Sequence, residues 1–178
     1  MDVIKNVTLI AASNGHEPII KYLLSLDNVK TNWADDKGRT LLYLAAEGGH
    51  DDVVYHILQR PNTKTDTTDK SGRTPLAVAA FKGHEDVVKQ LLDHGVDVNS
   101  RDRDGQTALS LATYQGHHRV VDEFFDRQEV EIETMDNKGN TPLALAASEG
   151  YWIVTKHLLE RTDLNINART KMVKLRYL

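Results

Sequence analysis

The sequence contains no cysteine, which excludes disulfide bonds, thiolate metal sites and a cysteine nucleophile. Its first residues lack the basic and apolar regions of a signal peptide, so we expect no secretory leader. No apolar run approaches the length needed to span a bilayer. The formal net charge of −4 gives no overall attraction for nucleic acid or an acidic membrane. We therefore expect a protein of the cytoplasm, or of the nucleus, with neither of these partners.

What the chain does have is a repeat. Gly-His pairs lie at residues 15–16, 49–50, 83–84 and 116–117, and Gly150 continues the glycine series. A second motif, Gly-x-Thr followed by an apolar pair or by Pro-Leu, recurs in step at residues 38–42, 72–76, 105–109 and 139–143. A fixed period of this size indicates stacked supersecondary units rather than one closed globule. Such a stack offers a long binding surface instead of a single deep pocket.

Residues 69–100 show one unit most clearly. A polar stretch ending in glycine, residues 69–72, predicts a tight turn. Thr74 and Pro75 predict a helix start, because threonine caps free amides and proline has no amide to lose there. Gly83 predicts the end of this short helix. A second helix is predicted by apolar residues at helical spacing, namely Val87, Val88, Leu91 and Leu92.

These motifs resemble the ankyrin repeat family, in which Gly-x-Thr-Pro-Leu opens the first helix and paired alanines precede Gly-His. Residues 72–92 match the family pattern nearly throughout, and the resemblance covers about residues 4–170. It implies an all-α solenoid of stacked helix-turn-helix units with β-hairpin-like turns. We predict a single domain over residues 1–178, with units at about 1–34, 35–68, 69–101, 102–135 and 136–169. Residues 170–178 form a truncated or divergent cap, or the natural protein continues.

The first and the fifth units are among those that depart from the pattern. The first loses its glycine turn, which suits a terminal cap whose outer face must meet water. The fifth has Tyr151, Trp152 and Ile153 where earlier units carry histidine and polar residues. Trp152 and Ile153 either pack locally or under the C-terminal tail, or they form a second contact surface.

No catalytic, metal or cofactor site is expected. The resemblance implies a structural role for the repeated histidines, and a ladder one repeat apart cannot converge on one metal ion; its members are His16, His50, His84 and His117. Aspartates at the turn tips are expected to bond the local backbone; they are Asp35, Asp69, Asp102 and Asp136. The remaining helix histidines, His56, His94 and His157, are predicted to be isolated surface residues. Asn99 and Asn167 resemble family asparagines that are β-hydroxylated, although each also fits an ordinary return-loop asparagine.

The resemblance also implies where a partner binds, on the concave face made by turn tips and first helices. The predicted contact residues are Lys37, Arg39, Lys70, Arg73, Phe81, Lys82, Arg103, Tyr114, Gln115 and Lys138. Phe81 and Tyr114 occupy adjacent central units and are the predicted hot spots. The cations predict an acidic partner segment that flanks an apolar anchor. We expect a monomeric, non-catalytic scaffold or adaptor for another protein, or alternatively the targeting or regulatory arm of a larger multidomain protein or enzyme.

Overall fold

The computed structural model describes residues 2–161, which fold into a stack of helix pairs. Within this range nine helices have both ends described: α1 Asp2–Ser13, α2 Glu17–Leu24, α3 Leu41–Gly48, α4 Asp51–Leu58, α5 Pro75–Lys82, α6 Glu85–Asp93, α7 Ala108–Tyr114, α8 His118–Phe125 and α9 Pro142–Ser148. A tenth helix, α10, covers residues 152–161. One isolated bridge, between Ala34 and Thr40, is the only β pairing in the described residues. The predicted all-α class is confirmed.

The helices form two layers. Helices α1, α3, α5, α7 and α9 pack on one another in chain order as an inner layer, and α2, α4, α6 and α8 do the same as an outer layer. Each of the five predicted units, numbered 1 to 5 below, contains one inner and one outer helix. Neighbouring units therefore cover each other, as expected of a solenoid. Among residues 2–161 no helix combines the length and apolar content needed to cross a membrane.

Helix α5 begins and ends where the sequence predicted. The threonine before each of α3, α5, α7 and α9 accepts a hydrogen bond on Oγ1 from the backbone N–H three residues later, as Thr74 does from Ala77 at 3.1 Å. This bond satisfies one of the free amides of the first turn. Gly83 ends α5 at φ +79°, and an added Cβ there would lie 2.7 Å from the His117 ring. Glycine is therefore required at this position for two reasons: it tolerates the left-handed backbone conformation, and it has no side chain to clash with the histidine ring.

A continuous apolar core fills the space between the two layers. The four predicted outer-helix residues of unit 3 are all buried, namely Val87, Val88, Leu91 and Leu92. On the inner layer Ala79 and Ala80 are completely buried, and their small side chains let adjacent inner helices approach closely. Each large buried side chain contributes about 1.5–3 kcal/mol relative to an exposed one. The core therefore depends on units stacking in register.

The return segments on the far side are also joined from unit to unit. Asn32 donates from Nδ2 to the Asn62 carbonyl at 2.8 Å and accepts from the Lys64 N–H at 2.8 Å. Asn62 itself has φ +64°, a left-handed conformation that asparagine tolerates better than most residues. Asn99 repeats the bridge two units later, to the Glu129 carbonyl and the Glu131 N–H.

The first unit keeps its two helices, and its outer face meets water, as expected of a cap. Val7 and Ile10 on α1, and Ile19 on α2, are exposed there. These three positions carry large apolar side chains, which the sequence analysis did not single out. Asn167 and residues 170–178 lie outside the described residues.

Candidate functional site

The turn tips are rigid because an aspartate closes each of them. Asp35 accepts hydrogen bonds on Oδ1 from the N–H groups of Lys37 and Arg39, each at 2.9 Å. The same pair of bonds recurs at Asp69, Asp102 and Asp136, which confirms the predicted local role of these aspartates. Burial alone would raise the pKa of the Asp35 carboxyl, but the hydrogen bonds from Arg39 and Lys37 outweigh burial and lower it.

Neighbouring tips are linked into a continuous rim by backbone hydrogen bonds. The Lys70 N–H donates to the Lys37 carbonyl at 2.9 Å, and the Arg103 N–H donates to the Ser71 carbonyl at 3.0 Å. The Asn137 N–H donates to the Asp104 carbonyl at 2.9 Å. Four exposed cations project from this rim and form no ion pair with any described residue, namely Lys37, Lys70, Arg103 and Lys138. Among the predicted contact cations, these four neither pair with a described carboxylate nor lie over the Phe81 ring.

Arg39 has a different environment from the rim cations. Its guanidinium contacts Asp35 Oδ2 at 2.8 Å and Glu47 Oε2 at 2.9 Å. Burial would lower the pKa of Arg39, but the hydrogen bond to Asp35 and the charges of Asp35 and Glu47 raise it. Arg39 is therefore neutralised within its own unit and is not an available cation.

Phe81 is half-buried between two cations. The Arg73 guanidinium carbon lies 4.8 Å from the ring centroid, and Lys82 Nζ lies 5.9 Å from it. Arg73 also reaches the next unit, where its Nε lies 3.4 Å from Asp102 Oδ2. Stacking of a cation on an aromatic face is favourable, so the ring orients both cations. The Phe81 ring is therefore not an open apolar surface, because two cations lie over it, one of which is also paired with Asp102.

Tyr114 is more exposed than Phe81 and borders a hollow of about 410 Å³ between units 4 and 5. The hollow is lined by polar residues of both charges, namely Asp104, Gln106, Asp136, Asn137, the rim residue Lys138, Asn140, Ser148 and Glu149, and by Leu145. Gln115 caps the end of α7, is half-buried and does not line this hollow. The sequence analysis did not predict this polar hollow. The sequence does carry a signal for the hollow, at two positions eight residues apart. These positions hold the charged pair Arg39 and Glu47 in unit 2 but the uncharged Asn140 and Ser148 in unit 5.

The repeated histidines hold the inner helices from the next unit. His50 Nε2 lies 3.0 Å from the Ser13 carbonyl, His84 Nε2 lies 3.1 Å from that of Glu47, and His117 Nε2 lies 3.1 Å from that of Phe81. These carbonyls lie at helix ends, where intrahelical partners run out. The structural role predicted for the repeated histidines is confirmed for these three, whereas His16 of unit 1 is exposed and its role stays a prediction. The bonded carbonyls also belong to residues of the concave face, so the ladder fixes that face's backbone.

Two of the remaining histidines are not isolated, which corrects the prediction. His56 Nε2 lies 3.0 Å from Glu17 Oε1, and His157 Nδ1 lies 2.7 Å from Asp122 Oδ1. Both contacts join outer helices of adjacent units, so their distance in sequence hid them. His94 caps the end of α6 and is exposed. Residues 2–161 contain no group of three or more histidines or carboxylates placed to hold a metal ion.

Two other predicted sites lie outside the concave face. Trp152 and Ile153 begin α10 and both are exposed, so their role as a second contact surface stays a prediction. Asn99 is half-buried in its return segment, and both ends of its side-chain amide bond the next unit.

The geometry defines a helical-repeat solenoid with a histidine ladder, an aspartate-closed rim and a concave inner layer. The profile of the family described as ankyrin repeats (3 copies) matches residues 8–102 and again residues 96–170. The chain therefore belongs to the ankyrin repeat family. No curated protein matches the chain significantly. Ankyrin repeats are generally protein–protein interaction modules, and the fold is typically non-catalytic.

Proposed function

We propose that this protein is a non-catalytic adaptor that binds an acidic segment of a partner protein along its concave face. The observation that carries the proposal is the rim of unpaired cations, Lys37, Lys70, Arg103 and Lys138. Glu47 of the same face is paired with Arg39, whereas the exposed carboxylates Asp36, Asp104 and Glu149 form no ion pair with a described residue. Complementary charge mainly speeds and selects the encounter. The cytoplasm, or the nucleus, stays the predicted location.

The apolar anchor of the partner would bind at Tyr114 rather than at Phe81. The Phe81 ring is already covered by Arg73 and Lys82, whereas Tyr114 borders the open hollow between units 4 and 5. A segment anchored at Tyr114 would pass the tip of unit 4, where Arg103 is exposed. Aromatic and arginine side chains are the residue types most enriched among binding hot spots. Phe81 contributes indirectly, because it positions Arg73 over the centre of the groove.

The test is quantitative affinity capture followed by titration with the purified partner. The bait variants are Lys70→Glu combined with Arg103→Glu, and Tyr114→Ala alone. The matched control is Lys89→Glu, which reverses an exposed charge on the outer helix α6. We expect each concave variant to weaken binding about ten-fold or more while the control binds as the wild type does. Binding that is unchanged by both concave variants would contradict the assignment of the groove.

β-Hydroxylation of Asn99 also stays a prediction. A separate hydroxylase would insert one oxygen atom from dioxygen into a Cβ–H bond, whereas the bonds to Glu129 and Glu131 use the side-chain amide. Modification therefore leaves the bridge between return segments in place. Peptide mass spectrometry of protein isolated from its source would show one added oxygen on this peptide, and its absence would leave Asn99 with the structural role alone.

A further inference from the structure

The N-terminal end of the solenoid is an apolar face. The exposed fractions of Val7, Ile10 and Ile19 are 45%, 59% and 45%. Tyr22, on the same outer helix as Ile19, is 66% exposed. A terminal repeat normally carries a polar outer face, because an apolar one associates. These four residues define what we call the N-terminal face.

The positions of that face are buried wherever another unit precedes them. No residue equivalent to Ile10 is more than 8% exposed; these residues are Leu44, Val78, Leu111 and Leu145. Every residue equivalent to Ile19 is 1% exposed, namely Val53, Val87, Val120 and Val154. At four internal junctions, therefore, the equivalent face is covered by the helix pair of the preceding unit.

The far end of the described solenoid exposes the matching surface. Ala144 and Ala147 of α9 are exposed, whereas the equivalent Ala77 and Ala80 of α5 are buried under the following unit. Unit 3, whose inner helix α5 packs on α7 of the next unit, has the same two small residues as α9. The far end of the described chain therefore carries small residues, as unit 3 does at its junction with unit 4, and the N-terminal face carries bulky ones.

In the outer layer, one aromatic residue lies at each end of the described chain, at positions that contact each other between neighbouring units. Trp152 occupies the position of Glu17, the first residue of its outer helix, and Tyr22 occupies the position of His56. Glu17 and His56 contact across the junction of units 1 and 2 at 3.0 Å. Stacking a second copy with that junction geometry would bring Trp152 of one copy to Tyr22 of the other. Trp152 is 73% exposed, so each aromatic is solvent-exposed at its own end of residues 2–161.

We propose that two copies of this chain stack end to end, with the N-terminal face of one copy on Ala144, Ala147 and Trp152 of the other. The contact continues the interface that already joins the five units, and it extends the concave rim across both copies. Because the two surfaces differ, the contact is heterologous and leaves one surface of each kind free on the pair. Further copies can therefore add, and the assemblies become longer as the protein concentration rises. This departs from the monomer expected from the sequence alone.

Sedimentation velocity of the full chain tests the proposal directly. The variants are Ile19→Lys on the N-terminal face and Trp152→Lys on the opposite end. The control is Tyr55→Lys, since Tyr55 is an exposed aromatic on the outer helix of an internal unit. We expect the weight-average sedimentation coefficient of the wild type and the control to rise over roughly a hundred-fold range of concentration. Each end variant alone should remain a monomer.

Mixing the two end variants separates loss of contact from loss of fold. The Ile19→Lys protein retains an intact Trp152 end, and the Trp152→Lys protein retains an intact N-terminal face. An equimolar mixture should therefore form a dimer that grows no further, although neither protein associates alone. A wild type that stays monomeric would overturn the proposal. So would a mixture that stays monomeric, or a Trp152→Lys protein that still associates, which would indicate pairing through two N-terminal faces.

Discussion

Units 2 and 3 share one backbone but present different chemistry on the concave face. In unit 2, Arg39 lies between Asp35 and Glu47 and its charge is neutralised. In unit 3, Arg73 stands at the equivalent position, but the residue eight further on is Phe81, and the guanidinium stacks on that ring. The difference at the facing residue therefore leaves Arg39 paired within its own unit, whereas Arg73 stacks on Phe81 and pairs with Asp102 of the next unit.

The same two units also differ in how they contact the next turn. Tyr43 of unit 2 donates its hydroxyl to Asp69 Oδ2 at 3.1 Å, and burial, together with the charge of Asp69, raises the pKa of that phenol far above its usual range. In unit 3 the turn aspartate Asp102 is reached by Arg73 instead. The comparison shows that the backbone frame repeats from unit to unit, whereas the side-chain contacts between units do not. Counting the charged residues at the concave positions therefore overstates the number of free cations.

The largest effect is expected in the core, where one buried position can be compared between units 2 and 3 to test whether it contributes equally to stability in both. Ile57 and Leu91 occupy the same outer-helix position and both are completely buried. We expect Ile57→Ala and Leu91→Ala each to lower the free energy of unfolding by about 2–5 kcal/mol, through lost transfer energy and a cavity. Urea denaturation measures both. A difference larger than the spread of that range would break the equivalence of the two units.

The next effect is at the glycines that end α3 and α5. An added Cβ would lie 2.6 Å from the His84 ring at Gly49 and 2.7 Å from the His117 ring at Gly83. For Gly49→Ala and Gly83→Ala we expect about 1–2 kcal/mol from the left-handed backbone and about 1 kcal/mol from the displaced histidine bond. Thermal melts of the two variants should agree; wild-type stability in either would contradict the ladder's role.

A smaller loss should separate unit 2 from unit 3. Tyr43→Phe removes the hydroxyl that bonds Asp69, and we expect the free energy of unfolding to fall by about 1–2 kcal/mol because the acceptor is charged. Tyr55→Phe is the matched control, since Tyr55 is exposed on the outer layer. Chemical denaturation in parallel would show an effect for Tyr43 alone, and equal effects would argue against the bond.

Removing the facing carboxylate should convert unit 2 toward unit 3. In Glu47→Gln, Arg39 loses one ion-pair partner but keeps Asp35. Because partly exposed ion pairs contribute little, we expect a loss below about 1 kcal/mol. The affinity for an acidic partner segment should rise instead, most clearly at low salt. Titrations at two ionic strengths measure this, and an unchanged affinity would mean that Arg39 stays sequestered by Asp35.

The smallest effect is confined to acid. The native pKa of Asp35 is lowered, so its contribution to stability is present above the unfolded-state pKa and is lost as the pH falls through the lower native value. The free energy of unfolding of the wild type should therefore fall as the solution is acidified, and that of Asp35→Asn should fall less. Parallel slopes for the two proteins would show that the carboxylate does not stabilise the turn.

Most of the frame was predictable because its signals are local. Thr74 caps a helix that starts beside it, Gly83 ends that helix, and Asp69 closes a turn within four residues of itself. For the concave face, the sequence predicted which positions contribute to it but not which of their side chains are free to bind. The neutralisation of Arg39 depends on a residue eight positions away, and the covering of Phe81 depends on which rotamer Arg73 adopts against it.

The sequence by itself therefore determined the repeat, the helix bounds and the buried positions, because these follow from short-range propensity and a periodic apolar pattern. Tertiary structure decided which cations are free, which histidines are paired and which apolar side chains remain uncovered. His56 meets Glu17 across 39 residues, and Ile19 is exposed while Val53 at the same position is buried. The physical reason is that these outcomes depend on the neighbouring unit, which the local sequence of one unit does not specify.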